Sequence, residues 1–467
     1  MPRSAASSSP AGPHNGSERT SKRHAAENHC AAGDPDSRLG LSGCRAAGRA
    51  RGSRARQSTA AGDLVDRRLP QHCGARGADS GRTARRGGER PLPRRNRRAD
   101  TDFRCHLVED TGGGLMSEVK KKALVTGASG FLGGAIARRL VLDGGYDVAI
   151  LVRPTSKLGD LADVIDQVEV LHGDLTDQVS LERATKGIDV VFHSAARVDE
   201  RGTRAQFVAE NLTATEHLLR SARRNGAQRF VFISSPSALM DRDGGDQVEI
   251  DESVPYPRRY LNLYSETKAA AERAVLAANA DGFSTCALRP RAIWGAGDRS
   301  GPIVRLLSRA AAGSLPNLSF GKQVNASLCH VENIADACVH AASSENTGGK
   351  AYFVADAEQT DVWGFLGEVA NGLGYAAPSR QPNQRVLNAA VAIIDAVWRV
   401  PFIATRWSPP LSRYVVALMT RTATYDTGAA ARDFGYRPVV DRDTGLTEFL
   451  AWLQTQGGIV ELTKDLR

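Results

Sequence analysis

From Lys122 onward, short runs of β-branched and other apolar residues alternate with stretches of helical periodicity. The runs are "ALVTGA" (123–128), "DVAILVR" (147–153), "QVEVLHGD" (167–174), "DVVFHSAA" (189–196), "RFVFISS" (229–235) and "TCALRPRAIWG" (285–295). Their length and β-branched content suit strands, and the helices between them imply parallel pairing with both sheet faces covered. A long helix is expected around 204–224, and an alanine-rich one over about 263–279. The pattern predicts an α/β fold with a doubly wound parallel sheet, the Rossmann arrangement. Beyond about residue 300 the alternation fades into helices, proline-bearing loops and the strand-like "AYFVAD" (351–356). The expected organisation is an Arg/Gly/Ala-rich extension over 1–115, a nucleotide-binding region over 116–300, and a smaller substrate-binding and closing region over 301–467.

Charge changes the picture at one end only. Of the 467 residues, 1–115 hold 22 Lys and Arg against 12 Asp and Glu, and the remainder holds 39 against 40. The extension has few aromatic or branched residues, so it cannot bury enough surface to offset ordering entropy, and disorder is expected. Three readings compete for it. Clustered arginine attracts phosphate, but no interleaved aromatics support base stacking. A targeting segment would need an apolar stretch that is missing. The favoured reading starts translation at Met116, just ahead of the first patterned strand. No nucleic-acid partner is expected for the patterned region. Seven scattered cysteines without a C-x-x-C suggest a reduced cytoplasmic protein with no structural metal. No apolar run reaches membrane-spanning length.

"TGASGFLGGAIARRL" runs from the first strand into a helix and contains Gly127, Gly130 and Gly133. These spacings suit a tight turn, close approach of a pyrophosphate to backbone, and close helix packing, with the phosphates on the helix N-terminus. At the end of the second strand a carboxylate would select NAD(H). Arg153 stands there instead, with Ser156 and Lys157 behind it, and a guanidinium suits a 2′-phosphate. NADP(H) is therefore favoured over NAD(H). Asp174, where the third strand emerges, is placed to meet the adenine edge. In "YSETK", Tyr264 and Lys268 lie one helical turn apart on one face, a spacing that many ordinary helix surfaces share and that by itself does not make a catalytic pair.

Taken together, "TGASGFLG", "GDLTD", "HSAA", "ISSPS", "YSETK", "LRPRAIWG" and "HVENIADA" resemble the extended short-chain dehydrogenase/reductases, the epimerase/dehydratase superfamily. The likeness spans roughly 120–455. Within that group it leans to the branch of 3β-hydroxysteroid and sterol dehydrogenases and 2-alkyl-3-oxoalkanoate reductases. The resemblance implies a catalytic trio of Ser235, Tyr264 and Lys268. Tyr264 would exchange a proton with the substrate oxygen, Ser235 would hydrogen-bond it, and Lys268 would lower the phenol's pKa and bind the nicotinamide ribose. Asn211 matches the family's helix asparagine facing the catalytic centre. Implied cofactor contacts are Thr126, Gly127, Ser129, Gly130, Phe131, Leu132, Gly133, Asp174, Leu175, Ala195, Ala196, Pro290 and Ile293, besides Arg153, Tyr264 and Lys268. His193 and His330 sit in apolar contexts and read as core residues, and neither has partners at metal-ligand spacing.

Dehydratase-type and sugar-epimerase-type residues are missing after Ser235, where Pro236, Ser237, Leu239, Met240 and Asp241 stand. The resemblance thus implies an NAD(P)-dependent oxidoreductase acting on a secondary alcohol or ketone of a hydrophobic molecule, a steroid or sterol 3β-hydroxyl or a long-chain β-keto acid. A nucleotide-sugar epimerase and a non-catalytic cofactor-sensing regulator stay as alternatives. The segment "VLNAAVAIIDAVWRVPFIATRW" fits an apolar pocket lining, a membrane-surface contact or an ordinary core helix. "RTATYDTGAAARDFGYRP" resembles the family's closing segment. A homodimer through the helices at 204–224 and 263–279 is implied as well.

Overall fold

The structure, a computed structural model, describes residues 120–464. The readings of 1–115 and of Met116 as a start fall outside those residues. In chain order the strands are β1 (Lys121–Thr126), β2 (Tyr146–Val152), β3 (Val168–His172), β4 (Val190–His193), β5 (Arg229–Ile233), β6 (Gln247–Ile250), β7 (Ser284–Pro290), β8 (Ile293–Trp294), β9 (Asn325–Ala326), β10 (Cys329–His330), β11 (Lys350–Val354), β12 (Thr360–Asp361) and β13 (Ala423–Tyr425). Seven of them form one parallel sheet in the order β11-β7-β5-β4-β1-β2-β3.

The apolar runs form strands because both faces are covered. Ala123 and Val125 of β1 point to a core completed by helices α1 (Phe131–Asp143) and, further along the chain, Val331–Ser343. Leu124 points to the opposite core, completed by α2 (Gln178–Ala184), α4 (Ala214–Arg224) and α5 (Leu263–Ala277), with α3 (Arg204–Phe207) preceding α4. This is the expected doubly wound arrangement. The helix predicted over 204–224 is not uniform: a wide π turn at Val208–Thr213 separates α3 from α4.

Two expectations change. The run 285–295 is not one strand, because Ala292 takes a left-handed φ of 46° and separates β7 from β8. And the chain beyond 300 returns to the large sheet, since Lys350–Val354 pairs in parallel with β7. The later residues also build their own core around Trp294, with α6 (Pro302–Ala311) and α8 (Val362–Gly372) packed into it, while α7 (Val331–Ser343) is the helix already met on the first face. A small sheet of order β12-β9-β13-β6 ties the closing segment to residues 247–250.

Beneath the helix α5 lies an ion pair with almost no exposure. Arg289 Nε and Nη2 donate to the two Glu272 carboxylate oxygens at 3.0 and 2.6 Å, with side-chain exposures of 4% and 0%. The Tyr256 hydroxyl donates to the same carboxylate at 2.5 Å. The guanidinium and this hydroxyl together hold the Glu272 carboxyl below its ordinary range despite burial. Removing one partner of such a pair strands the other charge away from water. Glu272→Gln is therefore expected to cost about 3–5 kcal/mol of stability, measured by urea unfolding. Glu272→Leu combined with Arg289→Met should recover most of that loss.

Candidate active site

The first helix begins where β1 ends. Gly127 has φ +77°, and a Cβ there would lie 2.8 Å from the Ala195 amide nitrogen. A Cβ on Gly133 would lie 2.2 Å from the Gly127 carbonyl oxygen. The turn, the helix start and the segment after β4 therefore meet backbone to backbone, where no side chain fits. Helix α1 has Gly130 at its N-cap and no side-chain cap, so the first N–H groups, at Phe131 and Leu132, face outward without a side-chain acceptor. Strands β1 and β4 are neighbours whose following helices cover opposite faces, which opens a crevice between their ends. Ser129 and Gly130 are exposed at this mouth, and Ala195 and Ala196 are half-buried beside it. The donors and the bare backbone fit a dinucleotide diphosphate.

Not every expected contact residue faces that crevice with its side chain. Thr126 is buried and its hydroxyl pairs with His193 Nδ1 at 2.7 Å, while its carbonyl accepts from Ser194 Oγ at 2.9 Å. Only its backbone is left at the turn. His193 is locked on its other side by Thr215 at 2.9 Å, and burial lowers its pKa to about 3, so it is a neutral core residue. His330 is likewise buried and capping α7, its pKa lowered to about 4 by burial. Arg153 is exposed at the end of β2. At the end of β3 the Asp174 carboxylate accepts from the Thr176 amide and hydroxyl, at 2.8 and 2.6 Å, and these bonds hold its pKa down. Leu175 beside it is half-buried. Pro290 is buried in register with Val354, and Ile293 is half-buried past the kink at Ala292.

The other wall is built from β5 and α5. Asn262 caps α5 by accepting from the Ser265 amide at 2.9 Å, which starts the helix just ahead of Tyr264. Lys268, one turn on, is buried: its ammonium donates to the Ile233 carbonyl at the end of β5 and sits 3.9 Å over the Phe232 ring. That anchors the helix two residues short of Ser235. Ser235 has a dual position. Its oxygen accepts from the Ser237 amide at 3.2 Å and lies 2.9 Å from the Ser237 hydroxyl, yet it also neighbours the Tyr264 phenol. The group that caps the short turn after β5 and the expected catalytic hydroxyl are one.

The electrostatics correct one expectation. Lys268 was expected to acidify Tyr264, but burial pushes the phenol up to about 12, and the opposing pull comes from the Ser235 hydroxyl. Lys268 itself is pushed down to about 7 by burial, with Glu272 one turn away pulling it back up. Near neutrality the phenol holds its proton. Asn211 is fully engaged: Oδ1 accepts from the Arg197 amide at 2.6 Å, and Nδ2 donates to the Arg197 carbonyl and to Thr267 at 3.1 and 3.0 Å. It clamps the segment after β4 against α5 from inside the π turn, so it positions the site and leaves no free donor for substrate.

Four side chains at the site were given no role by the sequence. Tyr414, on Arg413–Thr420, meets the Tyr264 ring edge-on at 6.3 Å. Glu200 accepts from Asn262 Nδ2 at 2.8 Å, and burial raises its pKa. Arg291 is buried and donates to the Ala423 and Leu418 carbonyls at 2.7 and 3.3 Å, pinning the closing segment to the end of β7. Ser237 pairs with Ser235. Tyr414, Glu200 and Arg291 sit far in sequence from their partners, and Ser237 lies within the quoted ISSPS motif beside the residue it holds. Among the described residues no group of three or more His, Cys, Asp or Glu side chains could hold a metal ion. Gly133→Ala is expected to force α1 off the turn and to weaken dinucleotide binding by at least about tenfold, read by fluorescence titration with NADPH.

The sequence profile of the 3-beta hydroxysteroid dehydrogenase/isomerase family matches residues 124–384. A 3 beta-hydroxysteroid dehydrogenase/Delta 5-->4-isomerase of Mycobacterium tuberculosis is 34% identical over 345 residues, covering 71% of this chain and 90% of that protein. A 2-alkyl-3-oxoalkanoate reductase of Stenotrophomonas maltophilia is 31% identical, covering 71% and 98%. Among solved structures, the dTDP-glucose 4,6-dehydratase DesIV of Streptomyces venezuelae with NAD bound has a TM-score of 0.56 at 21% identity. It covers 72% of this chain and 98% of its own, and at that identity it speaks for the fold alone.

Proposed function

We propose, for a chain that belongs to the 3-beta hydroxysteroid dehydrogenase/isomerase family, that Tyr264 is the proton donor in the reduction of a ketone on a hydrophobic substrate. The protein is a nicotinamide-dependent oxidoreductase acting on CH–OH groups and their ketones. The observation that carries the assignment to Tyr264 is its position. A phenol kept protonated by burial stands beside Ser235, on a helix anchored to the end of β5, next to the glycine-lined crevice.

A bound nicotinamide dinucleotide supplies the hydride. Tyr264 gives its proton to the substrate oxygen as that oxygen gains negative charge. Ser235, held by Ser237, donates a hydrogen bond to the same oxygen. Lys268 anchors the helix that carries the phenol to the end of β5, and solvent returns the proton that Tyr264 gives up. The reverse, oxidative direction needs a deprotonated phenol, and a pKa of about 12 opposes it until further positive charge arrives at the site. Asn211 keeps the two walls in register.

The preferred dinucleotide is NADP(H). Arg153 is exposed at the end of β2, where a selecting carboxylate would otherwise stand. The substrate is a bulky apolar molecule with a secondary alcohol or ketone: a steroid or sterol at its 3β-position, or a long-chain β-keto acid. The names of the relatives cover both. Three buried, unpaired cysteines fit a reducing cytoplasm, and a homodimer through the outer faces of α4 and α5, which pack side by side, completes the proposal.

Absorbance at 340 nm, followed with steroids, 3-oxoalkanoates and UDP-sugars, tests the reaction. Net NADPH consumption with the first two classes is expected, and sugar conversion without net change would point to epimerisation. Tyr264→Phe should lower turnover by about 10²–10⁴-fold and leave NADPH affinity nearly unchanged. Arg153→Ala should weaken NADPH by about 10–100-fold, the size of a lost charge-assisted bond, and spare NADH. Lys268 is lowered to about 7 in the free protein, and phosphate and ribose beside it would favour the charged form. Binding should then take up a proton above pH 7, so NADPH affinity falls as pH rises, by up to about tenfold per unit. Calorimetry in buffers of different ionisation heat reads this uptake, which Lys268→Met should abolish.

A further inference from the structure

Just past β5 the hydroxyls of Ser235 and Ser237 stand 2.9 Å apart, and each has a tyrosine beside it. Ser235 neighbours the phenol of Tyr264, and Ser237 neighbours that of Tyr414. The two rings meet edge-on with their centroids 6.3 Å apart. The hydroxyls thus form a row in the order Tyr264, Ser235, Ser237, Tyr414, and the reaction proposed above gives the last of them no part. Tyr414 comes from the closing region, and its helix, Arg413–Thr420, is fixed at several points. Ser412 caps that helix by accepting from the Val415 amide at 3.1 Å, Arg413 pairs with Asp395 at 2.9 Å, and the Leu418 carbonyl accepts from Arg291 at 3.3 Å. Tyr414 and Leu418 also pack against Met240, Leu261 and Ala417. The second phenol is brought to Ser237 by a built support.

The direction of the hydrogen bonds along this row decides what Ser235 can offer a substrate. Ser235 Oγ accepts from the Ser237 amide at 3.2 Å, so one of its two lone pairs is taken. Its bond with the Ser237 hydroxyl can run either way. With Ser235 as donor, its only proton is spent on Ser237. With Ser237 as donor, the Ser235 proton is left for the crevice. Tyr414 biases this choice. Burial, with Tyr264 and Glu200 alongside, raises its pKa well above the ordinary phenol range against the pull of Ser237 and Arg291, so it keeps its proton and acts as a donor. Glu200 is engaged by Asn262 and Ser412, and Ser237 is the neighbouring hydroxyl that takes the Tyr414 bond. A hydroxyl that accepts a bond becomes a stronger donor to the next group in a row. We infer that Tyr414 is a positioning residue, which by donating to Ser237 makes Ser237 donate to Ser235 and so turns the Ser235 proton toward the substrate oxygen. This rests on the ketone reduction assigned to Tyr264 above and adds to it a residue that acts only through Ser237.

The test is steady-state kinetics of the full chain with NADPH and the 3-oxosteroid or 3-oxoalkanoate that the parent reduces, for Tyr414→Phe, Ser237→Ala and the two combined. Tyr414→Phe keeps the ring and its packing. It should lower kcat by about tenfold, the worth of one hydrogen bond, with KM and NADPH affinity nearly unchanged. Ser237→Ala should lower kcat at least as far, and the double variant should be no slower than Ser237→Ala alone, because the tyrosine has no other route to Ser235. A parent-level kcat in Tyr414→Phe would overturn the inference. So would a double variant slowed by the product of the two single effects, or a raised KM at unchanged kcat, which would make Tyr414 a wall of the substrate pocket only. A parent-level kcat in Ser237→Ala would overturn it as well, whatever the fate of the Tyr414 variant. Full turnover by Tyr264→Phe, or no ketone reduction by the parent, would sink the reading of the site and this inference with it. An inactive Tyr264→Phe beside a fully active Tyr414→Phe would remove this inference alone.

Discussion

The inner face of α5 is the constraint on which the site rests. Two charged residues one turn apart, Lys268 and Glu272, are pressed into the sheet instead of facing water. Each must find a fixed partner there, since a buried charge without one is far too costly to persist. Lys268 takes the carbonyl that ends β5 and the face of Phe232, and Glu272 takes the fork of Arg289 on β7. Two strands and one helix are thereby locked in register. Tyr264, one turn before Lys268, has its place decided by these contacts.

The same burial bears on the proton of the Tyr264 phenol. Proximity of an ammonium suggests an acidic phenol, yet the ammonium is itself desolvated and committed to a backbone carbonyl. Loss of water around the hydroxyl then outweighs the help it receives. A phenol that keeps its proton is suited to giving it to a nascent alkoxide. Across the crevice, Gly127, Gly133 and Ala195 come together because they carry little or nothing beyond backbone. The surface they leave is polar amide and open space, fit for phosphate.

Much of the site was legible because its parts are local. A glycine turn between a strand and a helix, and a tyrosine one turn from a lysine, need only neighbours in sequence to adopt their geometry. Other parts were not legible. Thr126 sits in the motif, but its side chain answers to His193, 67 positions away. Asn211 occupies a family position, and whether it faced substrate or structure depended on Arg197 and Thr267. Glu200 and Tyr414 belong to no pattern, and the motif around Arg291 does not reveal its partners, because these roles arise from contacts between segments up to 150 residues apart. Lys350–Val354 showed strand character and gave no hint of the sheet it joins, since pairing partners are not written in a strand's own residues.

By itself the sequence determined the kind of fold, the glycine turn, the candidate trio of Tyr264, Lys268 and Ser235, and the family to which the chain belongs. The first two follow from periodicity and from glycine's missing side chain, and the last two from the likeness of the motifs to the family. Only the tertiary structure decided the burial of Lys268, the structural duty of Asn211 and Thr126, and the exposure of Val386 and Ile393. Each of these depends on how much water and which distant groups surround a side chain, and desolvation is a property of the packed chain rather than of any segment within it.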